Sequence, residues 1–312
     1  MDPLRVGVIG VGHVGQHHAR LYRSLPGSLL VGVVDANGRR AKEVAERFGT
    51  TVYDDVDVLL REVEAVSIAV PTSAHYAIAR QCLDAGVHVL VEKPLAATPD
   101  EARDLVTVAR QRGAILQVGH IERFNPVWLK VWPTIRDPWL IECRRVGPFT
   151  GRSTDVDVVL DLMIHDLDLV LSLQLGAVTD LRAVGACILS DKLDVAHAWL
   201  TFTSGCVAVL TASRVATARS RELVVVQRDC SLILDYQARR AILRQISGEA
   251  GSQVILGDNE EPLKLELEAF LHAVRTGSRP VVSGEEGEAA VVLASRIQEA
   301  IGQVTTRCTW EG

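Results

Sequence analysis

No stretch of this chain reaches the roughly 18 consecutive apolar residues that a bilayer-spanning helix needs, so a membrane-embedded protein is not expected. The six cysteines, at positions 82, 143, 187, 206, 230 and 308, form no CxxC pair and no Cys/His cluster. That scatter argues against a thiolate zinc site and for reduced, mostly buried thiols. Basic residues are neither abundant nor massed: 33 Lys and Arg stand against 39 Asp and Glu, a formal charge of −6. A nucleic-acid footprint is therefore not expected. Internal repeats and low-complexity linkers are missing as well. The chain passes from Met1-Asp2-Pro3 straight into the strand-like run Leu4–Gly10. That leaves no room for a signal peptide, and the expected compartment is the cytoplasm.

What remains is an ordinary globular composition, 48% hydrophobic and 23% charged over 312 residues, long enough for two hydrophobic cores. From Leu4 to about Val118 short β-branched runs (LRVGVI, LLVGVVD, AVSIAV, VHVLVE, AILQV) alternate with amphipathic stretches at Val14–Arg23, Arg39–Phe48, Ala74–Ala85 and Pro99–Arg112. Runs apolar on consecutive positions suit strands buried on both faces. Each is followed by a crossover helix, the pattern of a parallel sheet in a doubly wound α/β domain. After Gly119 the texture changes. A Pro- and Trp-containing stretch leads to IECRRV, then to a helical run from about Thr154 to Leu175. Strand-like segments follow with short turns between them: LRAVGACIL, VAHAWLTFT, CVAVLTASR, ELVVVQ and CSLILDY. Short turns between consecutive strands predict an antiparallel sheet. Two helices close the chain near Leu263–Arg275 and Glu285–Val304. The expected fold is a dinucleotide-binding Rossmann domain over residues 1–120, followed over 121–312 by an α+β domain with an open, mostly antiparallel sheet.

Gly10-Val11-Gly12-His13-Val14-Gly15 fits G-x-G-x-x-G, directly after one strand and at the opening of a helix. The first two glycines permit a tight turn and close approach of a pyrophosphate. Gly15 lets helix and strand pack, and N–H groups at the helix start, around His13 and Val14, face the anion. The strand Val31–Val34 ends in Asp35, where a carboxylate bonds both ribose hydroxyls and repels a 2′-phosphate, which favours NAD over NADP. Arg39 and Arg40 lie close enough to blunt that preference.

A further strand ends in Val91-Glu92-Lys93-Pro94. Ligands of open α/β sheets bind outside the carboxyl ends of strands, so Lys93 is delivered to the nicotinamide region. Pro94 restricts Lys93 to extended geometry; whether the bond between them is cis is open. Thr72 and His75, after AVSIAV, are candidates for holding the nicotinamide half together with Glu92. On the helical run, Asp157, Asp161, His165 and Asp168 fall within a sector of about 80° on a surface otherwise of Val, Leu, Ile and Met. A buried carboxylate and imidazole are costly unless paired, and Asp161 and His165, spaced i,i+4, can pair. Two readings of that pair stand side by side. In one, His165 is a general base whose tautomer Asp161 fixes; in the other, the two form a satisfied structural pair, with Asp155 and Asp157 at a helix start. Asp166 points elsewhere, as a cap or salt-bridge residue. One His and a carboxylate are too few for a metal site, and none is expected.

Taken in order along the whole chain, G-x-G-x-x-G, Glu92-Lys93-Pro94 and Asp161-x-x-x-His165 resemble the Gfo/Idh/MocA oxidoreductases. The resemblance implies a Rossmann domain, a C-terminal domain whose open sheet mediates homo-oligomers, and a catalytic set of Lys93, Asp161 and His165. The stretches Gly119–Pro126 and Arg152–Asp166 resemble the UDP-N-acetylglucosamine 3-dehydrogenase branch of that family. This implies that Arg123, Asn125 and Arg152 contact a sugar or diphosphate, a task suited to the planar guanidinium fork. Many members carry glycines where this chain has Asp157-Val158, which touches substrate space and not the proton-transfer pair. The implied function is NAD-dependent oxidation of a ring secondary alcohol, the 3-hydroxyl of a UDP-N-acetylhexosamine. The alternatives are another polyol, sugar or carbonyl substrate, and a non-catalytic NAD-responsive regulator on the same scaffold. Lys93 and His165 both remain open as the primary base.

Overall fold

The structure, a computed structural model, describes residues 2–151, 155–246 and 251–304. It divides into two compact units: residues 1–121 with 261–288, and residues 122–260 with 289–312.

The first unit is built on a six-stranded parallel sheet in the order β3-β2-β1-β4-β5-β6. Its strands are β1 (Leu4–Ile9), β2 (Ser28–Val34), β3 (Thr51–Val52), β4 (Ala65–Ile68), β5 (His88–Glu92) and β6 (Leu116–Gly119). Helices α1 (Gly15–Ser24), α2 (Gly38–Phe48), α3 (Val56–Leu60), α4 (Thr72–Asp84) and α5 (Pro99–Arg112) connect them. This is the Rossmann order, in which the direction of winding reverses beside β1 and ligand-binding loops gather at the carboxyl ends of the strands. The continuous apolar runs of β1 and β4 are buried along nearly their whole length, as a sheet covered on both faces requires. The boundaries of α5 follow from its ends. Thr98 and Glu101 make a reciprocal capping box, Pro99 opens the first turn, and Gly113 closes the helix in the left-handed region at φ 62°.

The chain returns to this unit with α8 (Pro262–Thr276). Its Leu263, Leu267, Phe270 and Leu271 join one core with Val6 and Val8 of β1, Leu21 and Tyr22 of α1, and Val33 of β2. Each such side chain, fully buried, contributes about 1.5–3 kcal/mol.

The second unit carries an eight-stranded sheet, β14-β13-β12-β11-β7-β10-β9-β8. The strands are β7 (Leu140–Val146), β8 (Val178–Ala186), β9 (Val195–Phe202), β10 (Val207–Ser213), β11 (Ser220–Val226), β12 (Cys230–Asp235), β13 (Arg240–Gln245) and β14 (Ser252–Leu256). Every neighbouring pair is antiparallel except β10 with β7, so the sheet is mostly antiparallel, as expected. Along β9, Ala196, Ala198, Leu200 and Phe202 are buried while His197 and Trp199 are exposed, the alternation of a sheet covered on one face. Helices α6 (Pro126–Val131) and α7 (Ile164–Ser172) belong to this unit, and α9 (Gly284–Val304) runs into it from residue 289.

Three expectations need correction. The helical run ascribed to 154–175 is not one α-helix: a π-helical turn over Val159–Met163 precedes α7. β3, β13 and β14 have no counterpart among the expected strands. Cys187 is disulfide-bonded, whereas Cys82, Cys143, Cys206 and Cys230 are free and buried. No helix among the described residues is long and apolar enough to cross a membrane.

Candidate active site

The turn after β1 gives its three glycines different duties. Gly10 has φ +83° and packs so closely that a Cβ would sit 2.7 Å from the Ala69 carbonyl oxygen. A Cβ on Gly15 would lie 1.8 Å from the Gly10 carbonyl oxygen, so only glycine lets α1 start there. In front of Gly12 there is nothing within 4 Å: the chain leaves an open cradle bordered by exposed His13 and Val14. No side chain caps the start of α1. An open backbone cradle at an uncapped helix start is what a dinucleotide's pyrophosphate requires, so the residues present fit that group.

Asp35, at the carboxyl end of β2, accepts the Val11 N–H on Oδ2 at 2.8 Å and the Asn37 N–H on Oδ1 at 2.7 Å. Arg40 clasps the same carboxylate through Nε at 3.0 Å and Nη2 at 2.7 Å. Burial alone would raise the pKa of Asp35. The bond from Arg40 and the two backbone N–H groups outweigh it and hold the carboxyl below its ordinary range.

At the end of β5 the Lys93–Pro94 peptide bond is cis. Lys93 itself is half-buried. Glu92 meets the buried His18 of α1, Oε1 to Nε2 at 3.1 Å. It also lies against Gly119, where a Cβ would come within 3.1 Å of its Cα and carboxylate. Thr72 is buried at the start of α4. His75 is only 1% exposed, with Nδ1 2.7 Å from the Pro94 carbonyl oxygen and Nε2 3.0 Å from that of Val70. Its ring lies between the backbone carbonyls of the two loops, one of them in the Lys93–Pro94 turn. His18 is not among the site residues expected from the sequence. Its signal was available: in α1 the buried positions Gly15, His18, Ala19 and Tyr22 form one helical stripe, and a histidine in such a stripe needs a partner.

In the second unit the polar stripe divides by role. Asp157 sits before the π-helical turn, where its Oδ1 accepts the N–H groups of Val159 and Leu160 at 2.9 and 3.1 Å. Its Oδ2 accepts from Gln298 at 2.8 Å. Asp157 is thus a cap. Asp161 and His165 are half-buried, Asp161 inside the π-helical turn and His165 in the first turn of α7. Such turns inside helices recur at functional sites. Asp168 is 2% exposed and faces Arg123 at 3.6 Å. Asp166 is buried against Arg145 of β7, which donates to it through Nη2 at 2.8 Å and Nε at 3.1 Å. Arg145 also donates to Glu122 at 2.9 Å.

Asn125 is buried. Its Oδ1 accepts the Val127 N–H at 3.3 Å to start α6, and its amide nitrogen donates to Glu122 at 3.1 Å. Arg152 lies outside the described residues. Among the described residues no group of three or more His, Cys, Asp or Glu is arranged to hold a metal ion.

Residues 4–120 match the oxidoreductase family with an NAD-binding Rossmann fold, and residues 127–233 match the GFO/IDH/MocA C-terminal domain. The chain is 39% identical over 311 residues to a UDP-N-acetylglucosamine 3-dehydrogenase from Acidithiobacillus ferrooxidans, covering 96% of this chain and 98% of that protein. It is 26% identical over 321 residues to a myo-inositol 2-dehydrogenase from Thermotoga maritima, covering 96% of each. A solved structure of the Acidithiobacillus ferrooxidans enzyme superposes with a TM-score of 0.94 at 36% identity, covering 98% of this chain and 100% of that one.

Proposed function

Since the chain belongs to the Gfo/Idh/MocA oxidoreductase family, and is accordingly an oxidoreductase of CH–OH groups using a nicotinamide cofactor, we propose that it oxidises the 3-hydroxyl of a UDP-N-acetylhexosamine with NAD. The observation that carries this reading is the pairing of an intact Asp161-x-x-x-His165 and Lys93 with 39% identity over 96% of the chain to a protein of that named activity.

The Gly10–Gly15 turn, with His13 and Val14, receives the pyrophosphate, and Asp35 the adenosine ribose. Thr72 and Glu92 border the nicotinamide half, and His75 sets the Lys93–Pro94 turn. Bound nicotinamide supplies the hydride acceptor. We assign Lys93, Asp161 and His165 to one catalytic set. His165 Nε2 takes the hydroxyl proton, Asp161 stabilises the resulting imidazolium, and the Lys93 ammonium stabilises the developing alkoxide. Arg123 and Arg152 recognise the anionic part of the substrate. Asn125, spent on capping α6, has a positioning role.

The likeness to an inositol dehydrogenase over the same span favours a second reading, a free polyol as substrate. Incubation with NAD and a panel of UDP-sugars, inositols and free sugars, read by absorbance of the reduced cofactor, separates the two. Lys93→Met and His165→Ala should each abolish turnover while cofactor binding survives; undiminished turnover in both ends the assignment. Association into homo-oligomers is supported by the outer face of the eight-stranded sheet, where Val184, Trp199, Ile233 and Val254 are exposed. Light scattering of the purified chain tests it.

A further inference from the structure

The Asp35 carboxylate is closed off by the chain itself. Each oxygen accepts one backbone N–H, from Val11 and Asn37, and one donor of Arg40. The side chain is 3% exposed. A carboxylate offers about four lone-pair positions, and all are engaged. The two backbone donors are fixed by the turns after β1 and β2. The guanidinium is the movable one: the Arg40 side chain is 46% exposed. The neighbouring Arg39 is occupied elsewhere, with Glu43 at 2.9 Å.

Two consequences follow for an adenosine ribose. A diol that binds Asp35 has to take lone pairs from Arg40, so Arg40 competes with it. A 2′-phosphate, which a bare carboxylate repels, meets a carboxylate already neutralised by a fork well shaped for phosphate. We propose that Arg40 sets the dinucleotide preference of this chain, weakening NAD by competing for Asp35 and admitting NADP by cancelling its charge. The pair remains ionised over the working range, since Arg40 keeps Asp35 acidic and Asp35 pushes Arg40 up. The inference rests on the reading of Asp35 as the ribose ligand.

The test is calorimetric binding of NAD and of NADP, without sugar, to the wild-type chain and to Arg40→Gln, Arg40→Lys and Asp35→Asn, each checked for an unchanged melting curve. Arg40→Gln should bind NAD about fivefold tighter, the worth of one competing surface ion pair, and NADP about tenfold weaker. Arg40→Lys keeps the charge without the fork, and should retain NADP binding better than Arg40→Gln does. A ratio of the two affinities that Arg40→Gln leaves unchanged overturns the proposal, as does equal weakening of both, which makes Arg40 a plain cofactor ligand. Asp35→Asn separates the two levels. If it leaves NAD binding intact, the reading of Asp35 fails. If it weakens NAD while Arg40→Gln leaves the ratio fixed, only the role of Arg40 fails.

Discussion

The imidazole of His75 lies between two carbonyl oxygens, Nδ1 at 2.7 Å from Pro94 and Nε2 at 3.0 Å from Val70, so one side chain of α4 ties the turn that follows Lys93 to the segment that follows β4. A neutral imidazole has one N–H and donates to one of them at a time. His75→Ala removes the donor, leaves a buried carbonyl unsatisfied and opens a cavity. The expected cost is about 1–3 kcal/mol of stability, with kcat falling more than the affinity for cofactor because the Lys93 turn loses its support. His75→Gln, which keeps an N–H, should restore part of both. Thermal melts with steady-state kinetics decide it; a stable variant with native kcat removes the positioning role.

Acid should weaken the fold before the carboxylates titrate. His88 Nδ1 accepts the Ile115 N–H at 2.9 Å, which only an unprotonated nitrogen does. Burial lowers the pKa of His88, with Glu64 opposing. Burial also lowers that of His75, against its two carbonyls. A base whose folded pKa lies below its unfolded value binds fewer protons when folded. Its stability contribution is therefore whole above about pH 6.5 and is lost as pH falls toward the folded value. The urea midpoint should be level at mildly alkaline pH and decline below about 6.5, with a shallower decline in His88→Asn. A midpoint that rises on acidification contradicts the assignment.

Much of this architecture was legible in the residues. Continuous β-branched runs separated by amphipathic stretches admit few folds besides a parallel sheet with crossover helices, and a strand-ending Asp35 after G-x-G-x-x-G narrows them further. Local periodicity was blind to other things. β3 has two residues, too few for any pattern to emerge, and β13 and β14 carry exposed or half-buried positions along most of their length. The 80° sector assumed regular α-helix. The π-helical turn at Val159–Met163 breaks that spacing, Asp157 becomes a cap, and Asp168 turns to Arg123. The partners of Glu92 and Asp166 are 74 and 21 residues away in sequence, and spacing rules reach only a few residues. Likewise the apolar stripe of α8 shows that one face is buried, without showing which sheet buries it.

Asp194 organises the segment that leads into Asp161 and His165. Its Oδ2 accepts the N–H groups of Ile188, Leu189 and Ser190 at 2.6, 2.5 and 2.9 Å, and its Oδ1 is held by Arg214 Nε at 2.6 Å. The adjoining Leu193 carbonyl accepts the Val158 N–H at 3.0 Å. Burial would raise the carboxyl; the backbone donors and Arg214 overcome it and bring it to about 2. This depressed pKa contributes about 2 kcal/mol at neutral pH, retained above the ordinary aspartate value and lost as pH falls from about 4 toward 2. Asp194→Asn should forfeit about that much and lower kcat, since Asp157 and the turn after it lose an anchor. Chemical denaturation at neutral pH measures the first; a loss below about 0.5 kcal/mol is in the range of ordinary surface substitutions and rejects it.

Asp166, the residue after His165, ties α7 to β7. Asp166 and Glu122 are both buried and both take hydrogen bonds from Arg145, which is 2% exposed and lies with its guanidinium 5.7 Å from the Tyr236 ring. Burial works against the charge on Arg145, and the two carboxylates outweigh it and push its pKa up. Arg145→Met removes the counter-charge that the two acids share, leaving Glu122 only the longer contact with Arg221 at 3.8 Å. Leaving a buried charge unpaired costs about 3–5 kcal/mol, so this variant should be strongly destabilised and should lose activity with it. The discriminating variant replaces the set with apolar residues of similar size: Arg145→Met with Asp166→Leu and Glu122→Met. Buried ion pairs exchanged wholesale for packed apolar groups are often neutral or better, so the triple variant should regain most of the stability in urea. If it does so with native kcat, the network serves the fold alone. If it is stable yet slow, the Arg145–Asp166 contact also holds the imidazole of His165 in its working position, which is the outcome expected from their adjacency on α7.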